Sequence, residues 1–354
     1  MDDGKFRDPR GELKDDDATI ALIDNPDSTE EIPTLDFAPY LEGKPGGREE
    51  VAAKLREITM TVGFFYLKNH GIPQNLIDGA FAQSRRFHEL PDAEKDKLAY
   101  KDEAGFGTGY RGMGKKWEYS SNTSIVTKTK PSLYSQYSVR REPDAARAGK
   151  PQLAPGDSIN IWPDQLPGFR ENVLAYHAAV EKLARKFLPL WSVSLDLPLD
   201  YFDRWFENPH FQLGLLHYPP QTEIGNRQYG INPHTDNAMM TFLAQKDIPG
   251  LAVRMPSGHW RAVDIIPGTL LVNTGNVLVQ WTNEQYLSTK HRVINSNTVD
   301  RYSIPIFFGP SDDTTIEVLP TCQGPNRPPL YEPVTYGEMR KWYFSGRPPK
   351  GATA

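Results

Sequence analysis

Cysteine is almost absent from the 354-residue sequence, which contains Cys322 alone. A single cysteine excludes an internal disulfide and every zinc or iron–sulfur site built from several cysteines. The sequence also lacks a long uncharged apolar run and an apolar signal-peptide core near its N-terminus, so we expect neither a membrane span nor secretion. These absences predict a cytoplasmic protein in which any metal site uses histidine and carboxylate ligands.

Basic charge is not in excess either. Lys+Arg number 40 against 45 Asp+Glu, a net charge of −5, and residues 1–31 hold eleven acidic but only four basic side chains. No basic field is available to bind nucleic acid or an anionic membrane surface, so neither partner is expected. A small-molecule substrate is the expected partner, and no pattern in the sequence specifies an oligomeric state.

Changes in composition divide the chain into four segments. Residues 1–30 are an acidic N-terminal tail, residues 31–200 mix helical and strand patterns, residues 201–345 carry short strands between turns, and residues 346–354 are a C-terminal tail. We interpret GTLLVNTGNVLVQW (268–281) as one of the strand segments. Helices followed by many short strands predict a mixed α/β (α+β) fold with an antiparallel sandwich or barrel.

The sequence N-P-H-T-D contains the pair of residues most suited to a metal. His234 and Asp236 lie two residues apart in a strand-rich region, so their side chains point to the same face of an extended segment. The third ligand has to come from another strand, and His291 in T-K-H-R-V-I, 55 residues after Asp236, is the candidate. Two imidazoles and one carboxylate leave open positions on an octahedral ion, as in non-haem Fe(II) oxygenases.

A basic residue follows shortly after this candidate ligand. Arg301 and Ser303 open the strand RYSIPIFF and share one face of it. A hairpin with its loop centred on Ser296 would place Arg301 opposite His291. A guanidinium next to a hydroxyl is suited to a ligand carboxylate, whereas the alternative is an edge-strand arginine in a surface ion pair.

Five motifs together resemble a known family, the isopenicillin-N-synthase-like branch of the Fe(II)/2-oxoglutarate-dependent oxygenases. The resemblance extends from Ile32 to about Tyr343 and rests on motifs in the family's order: GFFYLKNHGIP, LLHYPP, HTD, TKHRV and RYS. It implies a double-stranded β-helix, or distorted jelly roll, flanked by helices. The sequence departs from the family at Leu216, where many members carry asparagine.

The resemblance also implies an enzyme, and it assigns roles to individual residues. His234, Asp236 and His291 would be the catalytic ligands of Fe(II), and 2-oxoglutarate would chelate that iron. The far carboxylate of 2-oxoglutarate would meet Arg301 and Ser303, and Tyr218 of LLHYPP would help to bind it. Reaction with O₂ would give succinate, CO₂ and an Fe(IV)-oxo species that hydroxylates or desaturates a small organic molecule of secondary metabolism.

Residues 101–160 form the longest irregular segment, with five glycines between positions 105 and 114. Glycine permits backbone movement, and a reactive iron centre has to be shielded from water until substrate binds. We therefore predict a lid over residues 101–130 that contributes Tyr110 or Trp117 to the substrate pocket. The alternative is a solvent-exposed connector.

Three other functions compete with the dioxygenase, and one of them is an iron-binding pseudoenzyme, which would bind metal without uncoupled O₂ consumption. An iron oxidase or cyclase of the same branch would not use 2-oxoglutarate, so binding of 2-oxoglutarate separates it from the leading prediction. A non-oxidative metal-binding jelly-roll module is less compatible with an open set of three ligands, because structural zinc sites are normally closed by four. The histidines outside the motifs are expected to have surface or core roles: His88, His177, His210 and His259.

Overall fold

A computed structural model of the chain describes residues 28–99, 107–113, 130–141, 160–221 and 228–345. Both predicted tails fall almost entirely outside these ranges, as does most of the predicted lid. No helix within the described ranges is long and apolar enough to cross a membrane.

The described residues contain fourteen strands and seven α-helices. The strands are β1 (Thr34–Asp36), β2 (Phe64–Lys68), β3 (Gly109–Arg111), β4 (Ser135–Arg140), β5 (His210–Tyr218), β6 (Ile231–His234), β7 (Met240–Gln245), β8 (Leu251–Arg254), β9 (Trp260–Ala262), β10 (Thr269–Thr274), β11 (His291–Val293), β12 (Arg301–Gly309), β13 (Thr315–Ile316) and β14 (Val334–Thr335). The helices are α1 (Ala38–Leu41), α2 (Gly47–Thr61), α3 (Gln74–His88), α4 (Asp92–Lys97), α5 (Phe169–Ser194), α6 (Asn276–Trp281) and α7 (Tyr336–Ser345).

Two sheets form the core of the fold. The larger has the strand order β1-β2-β10-β7-β12-β5-β4-β3, and the smaller has the order β6-β11-β8-β9. The β1–β2 pair is parallel, and the other pairs of both sheets are antiparallel. Side chains from both sheets share a buried cluster, which includes Phe64 of β2 and Val253 of β8. Two packed antiparallel sheets with helices on one side are a jelly roll in an α+β fold.

Helices cover the outer face of the large sheet. Val51, Leu55 and Ile58 recur every three or four residues along α2 and are buried, which is the pattern of a helix packed on one face. They belong to the same apolar core as Phe242 of β7 and Ile306 of β12. Strands β1 to β4 join the same sheet as the strands that follow residue 201, so the two main predicted segments share one core.

Strand β12 divides its side chains between two environments. Ile304, Ile306 and Phe308 point away from the cavity and pack in the apolar core between the large sheet and the helices. The alternate residues line a cavity between the two sheets: Arg301, Ser303, Pro305 and Phe307. The period of two expected for a strand therefore turns Arg301 and Ser303 toward the interior.

The predicted hairpin between His291 and Arg301 is wrong. Strand β11 lies between β6 and β8 of the small sheet, whereas β12 lies between β5 and β7 of the large one. Arg301 is consequently opposite Tyr218 of β5 and not opposite His291. The chain crosses from one sheet to the other after β11, and this crossing puts both residues on the walls of the shared cavity.

The strand predicted over residues 268–281 is correct only in its first half. Residues Thr269–Thr274 form β10, but Asn276–Trp281 form helix α6, in which every residue is buried. A short apolar run that is buried on all sides has no periodicity that separates a helix from a strand. The strand prediction therefore failed over residues 276–281.

Gly275 joins β10 to α6 where two backbones come close together. Its amide donates to the Met239 carbonyl at 3.0 Å, and the amide of Asn276 donates to the Asp236 carbonyl at 2.8 Å. A Cβ atom on Gly275 would collide with the carbonyl oxygen of Ala238 and lie 2.8 Å from that of Asp236. The backbone of the loop that carries Asp236 therefore packs directly against Gly275.

We expect Gly275→Ala to lower the free energy of unfolding by about 1–3 kcal/mol, because the added methyl group forces two packed backbones apart. Gly324→Ala is the matched control, since a Cβ there meets nothing within 4 Å, and it should change stability by less than about 0.5 kcal/mol. Denaturant unfolding of both variants is the measurement. Equal stability of the two variants would contradict the close approach.

Candidate active site

The cavity between the two sheets contains the residues that the sequence singled out. His234, Asp236 and His291 line it together with Tyr218, Ser303 and Arg301. Strands β6 and β11 of the small sheet carry the two histidines. Strands β5 and β12 of the large sheet carry Tyr218, Arg301 and Ser303. The structure thus brings six of the eight predicted site residues into one space.

The pairing of β6 with β11 creates the histidine–carboxylate cluster. It sets His291 opposite His234, with their ring centroids 4.2 Å apart. Oδ1 of Asp236 lies 3.7 Å from Nε2 of each histidine. All three side chains are buried, and their ligand atoms lie within 4.8 Å of one another. It is the one such cluster found among the residues that the structure describes.

Backbone carbonyls fix the orientation of both imidazoles. Nδ1 of His234 lies 2.8 Å from the carbonyl oxygen of Asn232, and Nδ1 of His291 lies 3.1 Å from that of Thr289. A carbonyl only accepts hydrogen bonds, so each Nδ1 carries the hydrogen and donates it. The Nε2 lone pairs therefore face the carboxylate, which is the orientation that metal-binding histidines adopt.

The carboxylate of Asp236 is held in place from its other side. Its Oδ2 accepts hydrogen bonds from Oγ1 of Thr241 at 2.6 Å and from Nδ2 of Asn273 at 2.7 Å. Oδ1 is left facing the two imidazoles. The sequence analysis missed both supporting residues, because their strands, β7 and β10, meet Asp236 only through the fold.

Electrostatics favour the protonation states that a cation requires. Burial and the nearby His291 lower the pKa of His234 to about 4, so this imidazole is neutral at physiological pH. Burial by itself would raise the pKa of Asp236, but the charge interactions with His291 and His234 and the two hydrogen bonds to Oδ2 outweigh it. The pKa of Asp236 therefore lies below its usual value, and the carboxylate is ionised.

Arg301 lies in the same cavity at the start of β12. It is 1% exposed, and its guanidinium lies 4.7 Å from the ring centroid of Tyr218. The Tyr218 hydroxyl is 3.4 Å from Oγ of Ser303. Among the described residues Nε and Nη1 of Arg301 have no hydrogen-bond partner. A buried guanidinium with unsatisfied donors is costly, so the cavity is built to receive an acceptor group there.

Of the two predicted substrate residues, the structure describes only Tyr110, and Tyr110 does not line the cavity. Trp117 and most of the predicted lid lie outside the described residues. Tyr110 belongs to the apolar core, where its ring centroid lies 5.7 Å from that of Phe87. Alternation along β3 turns Arg111 toward the cavity instead. Tyr110 therefore does not line the cavity in this structure, and a contribution from Trp117 stays a prediction.

Two further residues line the cavity. Leu216, where many family members carry asparagine, lies opposite Ser303 and presents an apolar side chain to the cavity. His210, for which a surface or core role was predicted, begins β5 and lines the cavity too. Only its place on the inward face of the strand distinguishes it, and that face was not assigned from the sequence.

An open cluster of two histidines and one carboxylate is the arrangement used by mononuclear non-haem Fe(II) oxygenases. Comparison with protein families agrees with this class. Residues 32–165 match the family described as the N-terminal region of non-haem dioxygenases in morphine synthesis. Residues 209–310 match the 2OG-Fe(II) oxygenase superfamily.

Individual relatives extend the match over most of the chain. The 2-oxoglutarate-Fe(II) type oxidoreductase hxnY of Emericella nidulans is 31% identical over 313 residues, which cover 87% of each protein. A homoarginine-6-hydroxylase of Glycine max is 31% identical over 304 residues, covering 82% of this chain and 88% of the relative. The chain belongs to the 2OG-Fe(II) oxygenase family.

Solved structures agree with this assignment. A full-length Neurospora crassa protein, crystallised in complex with alpha-KG and 5-formyluracil, superposes with a TM-score of 0.76 at 26% sequence identity. The superposition covers 89% of this chain and 96% of the other. The shared jelly roll is therefore not confined to the residues around the site.

We expect Thr241→Val to weaken Fe(II) binding by about 10- to 100-fold, because it removes one of the two donors that orient the Asp236 carboxylate. The change conserves shape, so the fold should persist. Thr269→Val is the matched control, since its hydroxyl donates only to the Ile266 carbonyl of its own turn. Anaerobic calorimetric titration with Fe(II) compares the two, and equal affinities would exclude this support of Asp236.

Proposed function

We propose that this protein is a 2-oxoglutarate-dependent Fe(II) dioxygenase that hydroxylates or desaturates a small organic molecule. One observation carries the proposal. An open histidine–carboxylate cluster and a buried guanidinium without an acidic partner among the described residues line the same cavity. A ligand that joins a metal to a guanidinium has to carry a chelating group at one end and an anion at the other.

His234, Asp236 and His291 are proposed to hold Fe(II). Their fit to the ion rests on the donor set, because two imidazole nitrogens and one carboxylate oxygen converge while the opposite atoms of all three side chains are already hydrogen-bonded. This set suits Fe(II) and leaves room for further ligands. When bound, Fe(II) supplies the O₂ chemistry that side chains cannot perform.

Arg301, Ser303 and Tyr218 are proposed to bind the far carboxylate of 2-oxoglutarate. The guanidinium offers a planar pair of donors, and the hydroxyl of Ser303 shares its face of β12. The ring of Tyr218 packs against the guanidinium and limits its movement. Leu216 adds an apolar wall beside Ser303, which suits the methylene carbons of the same molecule.

The product distinguishes the possible reactions. A product one oxygen atom heavier than the substrate indicates hydroxylation, and one that is two hydrogen atoms lighter indicates desaturation. We propose a metabolite of secondary metabolism as the substrate, supported by the oxidoreductases among the fungal relatives. A cytoplasmic location and the lack of nucleic-acid or membrane partners stay predictions, which cell fractionation and binding assays test.

Arg301→Ala should weaken binding of 2-oxoglutarate by about 30- to 1000-fold, since it removes a buried charge-assisted pair worth about 2–4 kcal/mol. Arg301→Lys should recover only part of this affinity, because an ammonium group lacks the planar fork. Fe(II) binding should change little in either variant. Anaerobic titration of the Fe(II)-loaded protein with 2-oxoglutarate is the measurement.

Arg261→Ala provides the control for that experiment. Arg261 lies in β9 of the small sheet, partly exposed, with its nearest acidic partner, Asp264, at 4.0 Å. Its removal should leave the affinity for 2-oxoglutarate unchanged. If Arg301→Ala binds 2-oxoglutarate as tightly as Arg261→Ala does, the proposed co-substrate site is wrong, and an iron oxidase that works without 2-oxoglutarate becomes the better account.

A further inference from the structure

The cavity continues past the histidine–carboxylate cluster to the far end of β12. His210 lies opposite Gly309 at that end, whereas Arg301 begins the same strand. Asn237 follows the candidate ligand Asp236, and the Met239 amide donates to the Phe308 carbonyl at 3.0 Å, which holds this loop next to the end of β12.

Helix α7 closes this end of the cavity. Tyr336, Arg340 and Tyr343 all line it, and their spacing of four and three residues puts them on one face of the helix. The rings of His210 and Tyr336 have their centroids 6.0 Å apart. A chamber with polar walls therefore lies on the side of the candidate metal ligands remote from Arg301.

A ligand is indicated by polar atoms of two side chains in this chamber that have no hydrogen-bond partner among the described residues. They are Nδ1 of His210 and Nδ2 of Asn237, on side chains that are 6% and 8% exposed. Burying such atoms unsatisfied costs free energy, which a bound molecule recovers when it supplies the missing partners. Neither side chain belongs to the candidate metal cluster or to the region around Arg301.

The charges around the chamber indicate what kind of group fits. Arg340 is 2% exposed and forms an ion pair with Asp312, with Nη1 and Oδ1 2.6 Å apart, so its guanidinium already has an acidic partner. Burial, together with the positive charges of Arg340 and Arg140, keeps the pKa of His210 well below its usual value, so the imidazole is neutral. Arg340 is therefore already engaged by Asp312, and the neutral imidazole of His210 adds no charge of its own that would attract an anion.

A cation fits no better than an anion. Among the described residues that line the cavity, Asp236 is the only carboxylate, and its place is in the metal cluster. The Asn237 amide nitrogen donates, and a neutral imidazole nitrogen donates or accepts according to its tautomer. A carbonyl oxygen accepts from the Asn237 amide, and a neighbouring N–H or O–H group donates to His210 when its Nδ1 accepts.

We infer that His210 and Asn237 form a substrate subsite that binds a neutral carbonyl-containing group, such as an amide, lactam or imide. The inference rests on the proposed function, because it treats the chamber beyond the metal ligands as the place of the molecule to be oxidised. It makes His210 and Asn237 specificity-determining residues and predicts that carboxylates and amines of the same shape are poorer ligands.

The test uses three probes that share a phenyl ring and differ in their head group: benzamide, benzoate and benzylamine. Each is titrated under argon into protein loaded with Fe(II) and 2-oxoglutarate, with binding followed by ligand-observed NMR. Benzamide should bind most tightly. His210→Phe and Asn237→Ala should each weaken benzamide binding by about 3- to 10-fold, the effect of one lost hydrogen bond.

The matched control is His259→Phe, the same substitution at an exposed position that does not line the cavity. It should leave benzamide binding unchanged. Tighter binding of benzoate or benzylamine, equal benzamide affinity in all variants, or no binding of any probe at millimolar concentration would each overturn the subsite. Failure of the proposed function is recognised separately, as wild-type protein that does not bind 2-oxoglutarate.

Discussion

The carboxylate of Asp236 is the group on which the rest of the site depends. One of its oxygens is held by Thr241 and Asn273, and the other faces His234 and His291. Its backbone is anchored as well, because its carbonyl accepts the amide of Asn276 at the start of α6. Elements from both sheets and one helix therefore meet at a single residue, and a shift of any of them would separate the ligand atoms.

The two-sheet architecture explains why the cavity has two functional ends. Strand β12 spans it, and the alternation of its side chains turns Arg301 and Ser303 inward while Ile304 and Ile306 secure the strand to the helices. The same strand thus presents a guanidinium at one end and reaches the chamber of His210 at the other. The candidate metal cluster lies in the cavity that joins them, so two different molecules can reach one ion.

Local patterns made much of this arrangement predictable. The spacing of His234 and Asp236, and the shared face of Arg301 and Ser303, follow from the period of a strand, and the structure places all four in the cavity. The pairing of strands was harder to predict from the sequence. A hairpin was expected after His291, although the chain crosses to the other sheet there, because the sequence around a turn does not specify which edge the next strand joins.

Residues that act through long-range contacts were not predictable from one sequence. Asn273 lies 37 residues after the carboxylate it supports, and nothing near it marks that role. Tyr110 was predicted for the pocket as part of a lid, but the alternation of β3 places Tyr110 in the apolar core and its neighbour Arg111 in the cavity. Once the fold is known, such residues are recognised by the burial of their side chains and by their hydrogen-bond partners.

We propose that the histidine–carboxylate cluster and Arg301 bind two ends of one molecule of 2-oxoglutarate. Anaerobic calorimetry of 2-oxoglutarate binding to the wild-type protein, with and without Fe(II), is the decisive experiment. We expect one molecule bound per chain and an affinity at least about 10-fold higher when Fe(II) is present, an extra ~1.4 kcal/mol or more from chelation. An affinity that is the same with and without Fe(II) would contradict it.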